Sequence, residues 1–243
     1  MPLLEVTGLS KRFGGFIALD GINLSVQPGE RVGLIGPNGS GKSTLVNCIC
    51  GTLANETGTV RFAGQAVDGL LTHERTRRGM ARSFQLPRPF ATLTVAENLR
   101  VPLLYTVNAR PGTRLAAADL DARCDELLAL VALAGKARQL PRDLTQVEMR
   151  KLELARAMAA EPKLLIADES MAGLSQSEVD DIVNLLIQLN ERGVTIILIE
   201  HIMRAVMQFS QRLVVLVSGS KIADGAPDEV IRDPQVERAY LGQ

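Results

Sequence analysis

The chain predicts an α/β fold, built on a largely parallel sheet with a β-rich opening third and an inserted helical subdomain. Three observations carry that prediction. Apolar runs of strand length alternate with helical ones in the last third, helical periodicity is concentrated in one central block, and a Gly-rich turn joins an apolar strand to a helix at residue 36. With 243 residues and 46% hydrophobic content, the chain can bury a sizeable core without disulfides.

The elements follow in order. LLEVTG, ALDGINLSV, RVGLIG and TGTVRFAG are short β-branched and apolar segments divided by Gly, Asp and Pro turns, so the opening third reads as strands. From about Pro87 to Ala160, VAENLRVPLL, LAAADLDARCDELLALVALAG and VEMRKLELARAMAA repeat apolar residues at helical spacing. Strands return as KLLIAD, VTIILIE and RLVVLV. Between the first two of these lies SQSEVDDIVNLLIQLNERG, a helix with Ser175 and Glu178 as a capping box and Gly193 as its stop. Strand, helix, strand implies parallel pairing. These shifts divide the chain into 1–86, 87–160, 161–224 and a tail at 225–243.

Composition excludes some classes of partner. Lys plus Arg is 27 and Asp plus Glu is 27, which leaves no positive excess to hold a nucleic acid by counterion release. Cys48, Cys50 and Cys124 are an odd set, the first two within an apolar helical stretch, and read as reduced core residues rather than disulfide or metal ligands. The opening MPLLEVTGLSKRF lacks the apolar core of a signal peptide, and the longest apolar runs are too short to span a bilayer. The expectation is a cytosolic chain that serves any membrane through partners.

The strongest motif is GPNGSGKST, comprising Gly36, Pro37, Asn38, Gly39, Ser40, Gly41, Lys42, Ser43 and Thr44. It fits G-x-x-x-x-G-K-[ST], and the strand before it and helix after it are the context that pattern needs. Glycines let successive amides curl around phosphates, and the helix N-terminus adds partial positive charge. Lys42 is expected at the β and γ phosphates and the Ser43 hydroxyl on magnesium. In KLLIADES, an apolar strand ends in Asp168 and Glu169. Acids at strand ends are common, but downstream of a P-loop and before the small-residue turn MAGLS they read as a magnesium ligand and a base for the attacking water. His201, in TIILIEHIM, follows a buried strand at the sheet's carboxyl edge, the usual ligand side. Phe13, in KRFGG, is either an adenine platform or simple packing. Gln85, in RSFQ, ends a short strand, and is either a magnesium or water contact or a polar loop residue.

In this order, Phe13, the P-loop, RSFQ, LTQVE, LLIADE, MAGLS and EH resemble the ATP-binding subunits of ABC transporters over nearly the whole chain. The resemblance implies a RecA-like P-loop core completed by 161–224, an antiparallel β subdomain within 1–86, a helical subdomain at 87–160, and ATP with Mg2+ as ligands. It implies that Phe13 stacks on adenine, that residues 36–44 are Walker A, and that Gln85 is the Q-loop glutamine, catalytic and on magnesium. Asp168 then ligates magnesium, Glu169 is catalytic, 172–175 is the D-loop and His201 is the switch histidine. The tail GAPDEVIRDPQVERAYLG is similar to that of the subfamily energising uptake of branched-chain and other hydrophobic amino acids, or of amides and urea. RSFQ and the insert's length resemble the larger ATPase subunit of such importers. The implied assembly is two ATPase chains beneath two membrane permeases, on the cytoplasmic face, fed by a solute-binding protein, with residues 84–104 gripping the permeases. Related ATPases of DNA repair, chromosome structure or ribosomes would bring coiled coils, a second cassette or basic patches, and a purely binding clamp would not need Glu169 and His201.

The signature is the departure. Leu144, Thr145, Gln146, Val147 and Glu148 stand where the family has L-S-G-G-Q or L-S-Y-G-Q, a turn that caps the γ-phosphate bound to the partner chain's Walker A. Thr145 keeps a hydroxyl. Val147 replaces a glycine with a β-branched side chain, adding bulk and restricting φ and ψ. One reading is a heterodimer with one competent and one impaired site; the other is that Thr145 and a shifted backbone suffice.

Overall fold

The computed structural model describes residues 1–83, 87–113 and 115–241, with the backbone alone for Tyr240 and Leu241. Two sheets enclose a single helix. The smaller, antiparallel sheet has the order β2-β1-β4-β5, from β1 (Leu4–Phe13), β2 (Phe16–Val26), β4 (Thr57–Phe62) and β5 (Gln65–Ala66). The larger has the order β10-β9-β3-β8-β7-β6. Its strands are β3 (Arg31–Ile35), β6 (Met80–Ser83), β7 (Leu164–Asp168), β8 (Thr195–Ile199), β9 (Arg212–Val217) and β10 (Ser220–Gly225). All neighbours in it pair in parallel except the β9–β10 hairpin.

The period-2 alternation of side chains makes the central strands apolar on both faces. In β7, Leu164 and Ile166 join the core shared with the small sheet and α1 (Lys42–Cys50). Leu165 and Ala167 point the other way, into the helical layer. That layer comprises α3 (Val95–Pro102), α4 (Ala117–Leu130), α5 (Gln146–Met158), α6 (Gln176–Glu191) and α7 (Met203–Phe209). A short α2 (Thr72–Arg77) precedes β6, and α8 (Pro227–Val230) and α9 (Pro234–Leu241) form the tail. Val230 and Val236 of the tail pack on Ile35, Leu213 and Val215.

Local chemistry sets the helix ends. Ser175 caps α6 with Glu178 returning to its amide at 2.8 Å, and Gly193 takes φ 94 just beyond the helix, as the sequence predicts. The C-terminus of α1 is closed by buried Arg75, whose Nη1 donates to the carbonyls of Cys48 and Ile49 at 2.8 and 2.7 Å. All three cysteines are free and buried, and burial pushes the Cys50 thiol up to about 11, which suits inert core residues.

Candidate active site

The site forms where three neighbouring strands end. The P-loop leaves β3, His201 follows β8, and Asp168 closes β7, so all lie at the carboxyl edge of the parallel sheet. The register pairs Asp168 with Ile199, two residues before His201.

Two glycines of the P-loop are forced by close approach. A side chain at Gly36 (φ 153) would collide with the Leu216 carbonyl oxygen, and one at Gly41 (φ 103) would come within 2.6 Å of the Ala18 carbonyl. Gly41 is also the N-cap of α1, so no side chain competes for the first amides of that helix, and its first turn carries no acid. Ser40 is buried within the loop. The Lys42 ammonium donates to the carbonyls of Gly36 and Pro37 at 2.7 and 3.0 Å and lies 3.5 Å from the Ser40 hydroxyl, which folds it across the loop. Burial holds its pKa below the ordinary lysine value, while the negative charges of Glu169 and Asp168 oppose that. Those carboxylates therefore lie within electrostatic reach of Lys42.

Asp168 is buried and held by a residue that the motif reading did not single out. Arg82, on β6, donates to Asp168 Oδ2 at 2.5 Å and to Asn47 Oδ1 of α1 at 2.7 Å. Alternation explains it: Met80 and Arg82 share the face of β6 that looks toward α1. The pair is 86 positions apart in sequence, and no local pattern announces it. Glu169 has φ 45, a left-handed conformation that a non-Gly residue adopts at a cost, and its amide donates to the Ile199 carbonyl at 2.9 Å. Strain of this kind at a candidate catalytic carboxylate has no sequence signature. His201 projects into solvent, its side chain 68% exposed. Phe13 closes β1, half-exposed, with the Lys11 ammonium 5.7 Å from its ring centroid. Gln85 lies outside the described residues.

The signature corrects one expectation. Helix α5 begins at Gln146, one residue before the VEMRKLELARAMAA periodicity indicates. Thr145 is its N-cap, accepting from the Glu148 amide at 3.4 Å, while Glu148 accepts the Thr145 amide at 2.8 Å. The spacing Thr-Gln-Val-Glu is itself a capping box and could have revealed the earlier start. Val147 therefore sits in the first turn with no left-handed φ, and its half-buried side chain packs on the helical core. The backbone objection to valine falls away and only its bulk remains. Thr145 and Gln146 are exposed, Leu144 is half-buried, and Gln146 Nε2 donates to Ala172 in the D-loop at 3.3 Å. Lys136 pairs with Glu148 at 2.6 Å.

Comparison with known proteins gives the family. The family model described as ABC transporter matches residues 19–172, and one described as branched-chain amino acid ATP-binding cassette transporter matches residues 220–243. The chain is 38% identical to the high-affinity branched-chain amino acid transport ATP-binding protein BraF of Pseudomonas aeruginosa, covering 100% of this chain and 98% of that protein. It shows the same identity and coverage with the protein LivG of Escherichia coli, whose description is otherwise the same. Among solved structures, the ADP conformation of MJ1267, an ATP-binding cassette of an ABC transporter, matches with a TM-score of 0.89 and 31% identity over 100% of both chains. With its P-loop, paired carboxylates and histidine gathered at one sheet edge, the chain belongs to the ABC transporter family and is one of its ATP-binding, ATP-hydrolysing subunits.

Proposed function

We propose that this chain powers an importer of branched-chain amino acids or related small solutes, working at the cytoplasmic face of a membrane with two permeases, a second ATPase subunit and, indirectly, a solute-binding protein. The observation that carries the ATPase part is the gathering of Lys42, Asp168, Glu169 and His201 at the ends of β3, β7 and β8. The C-terminal match and the named relatives support the substrate class. No described helix is long and apolar enough to cross a membrane, so membrane attachment falls to the permeases.

In this reading, Phe13 supports adenine and the P-loop amides with Lys42 hold the phosphates. Magnesium suits the oxygen donors present: Ser43 lies in the first turn of α1, and Asp168 offers a carboxylate with one oxygen fixed by Arg82. A short protein ligand set fits an ion that keeps several waters and takes phosphate oxygens. Magnesium would supply charge neutralisation, with Gln85 as a further ligand. Glu169 polarises the attacking water, and His201 meets the γ-phosphate. Thr145 and Gln146, exposed at the head of α5, face the partner chain's nucleotide.

The permease surface is supported by a groove of about 330 Å³ lined by Arg82, Phe90, Pro102, Tyr105 and Arg156, with Tyr105 exposed on its rim. Co-expression with the permeases and the second ATPase should co-purify all of them, and recovery of this chain alone from membranes would contradict the assembly. The asymmetric heterodimer rests on the bulk of Val147. In the assembled transporter, Val147→Gly should raise steady-state hydrolysis, and an unchanged rate would favour two equivalent sites.

A further inference from the structure

Glu200 lies between His201 and the D-loop and is used by none of the steps above. It is the residue after β8, only 2% exposed, while the ring of the next residue, His201, is largely in solvent. Oε1 accepts the amide of Met171, at the head of the D-loop, at 2.8 Å. Oε2 is buried and accepts no hydrogen bond among the described residues. Its neighbour is Nδ1 of His201 at 3.8 Å, an ion-pair distance. The guanidinium of Arg150, on α5, feels the charge of Glu200 and donates to the Ala172 carbonyl at 3.4 Å. Burial raises the Glu200 pKa, as does the charge of Glu169, against the pull of the Met171 amide and of His201. A buried carboxylate oxygen whose nearest donors are the amide and ring of His201 is a cost to folding that those groups can offset.

We propose that Glu200 is the positioning residue for His201: one oxygen anchors the D-loop through Met171, and the other holds Nδ1 as the protonated ring nitrogen, leaving Nε2 to face the γ-phosphate. The contact shortens by about 1 Å when nucleotide draws the ring in, as catalytic hydrogen bonds tighten in the loaded state. A phosphate oxygen beside Nε2 then favours a second proton from solvent. Nε2–H donates to the phosphate, and the imidazolium is balanced by the Glu200 carboxylate. Because the same carboxylate holds Met171, movement of His201 is felt in the D-loop. This rests on the reading of His201 as the γ-phosphate contact.

The chain has two histidines, so 15N-histidine labelling of the full-length protein yields only His73 and the residue in question. Nitrogen shifts are recorded at about pH 8, above the ordinary histidine range, with and without the ATP analogue AMP-PNP. The expected wild-type spectrum has His201 protonated at Nδ1 alone without nucleotide and at both nitrogens with it. In Glu200→Gln the side-chain oxygen can still accept from Met171, but the amide NH2 turned toward the ring is a donor, so the proton moves to Nε2 while His73 is unchanged. In the assembled transporter the same variant should lose about 10–100-fold in kcat with KM for ATP within about twofold. Identical His201 shifts in wild type and variant, or a wild-type ring protonated at Nε2 alone, would overturn the proposal; the wild-type spectrum decides by itself if the variant does not fold. An unchanged ATPase rate in His201→Ala overturns instead the phosphate-contact reading, and with it the catalytic use of the pair.

Discussion

Asp168 is paired with Arg82. Arg82 fixes one of its oxygens from the neighbouring strand, and in the proposed function the other is left for magnesium. Both side chains are largely buried, so removing the cation strands a carboxylate in the interior. Arg82→Ala should lower unfolding free energy by about 2–4 kcal/mol in urea titration. A change below about 0.5 kcal/mol would show the pair to be incidental. Glu169 makes the opposite prediction. Its φ of 45 suits glycine, so Glu169→Gly should stabilise the fold by about 1 kcal/mol, read as a higher Tm, while hydrolysis is lost. The P-loop residues were legible in the sequence because they are contiguous and their geometry is local. The Arg82–Asp168 pair and the left-handed Glu169 were not, because the fold imposes both from distant strands. Gln85 lies outside the described residues and stays an expectation.

At the scale of elements, strands and helices followed from alternation and periodicity, and the head of α5 shows where such reading stops. The apolar period of that helix opens at Val147, whereas its start one residue earlier is fixed by the polar pair Thr145 and Glu148. The same device opens α3 through Thr94 and Glu97, and α6 through Ser175 and Glu178. All three glutamates have pKa values below the ordinary 4.5. The leading causes are the Lys136 hydrogen bond for Glu148, the Thr94 amide for Glu97 and the Ser175 hydroxyl for Glu178. The unfolded chain takes up protons on these groups at higher pH than the folded one. Their stabilisation is therefore complete above about 4.5 and is lost as pH falls through the lowered native values. Urea midpoints should drop between about pH 5 and pH 3, and Glu148→Gln should flatten part of that slope. An equal slope in the variant would mean that the capping carboxylate carries none of the acid sensitivity.

Across the whole molecule, the order of strands decides the chemistry. β8 lies between β3 and β7, so the ends of three strands far apart in sequence bring the P-loop, a histidine and two acids to one edge. The central helices lie on the face away from α1, where they present the head of α5 and the groove beside Tyr105 outward. In the proposed function, hydrolysis therefore falls to this chain's own carboxylates, and its signature serves another chain. Steady-state ATP hydrolysis by the assembled transporter carrying Glu169→Gln in this chain alone tests that assignment most directly. The predicted result is a loss of about a hundredfold or more with nucleotide still bound. A rate equal to wild type would contradict it.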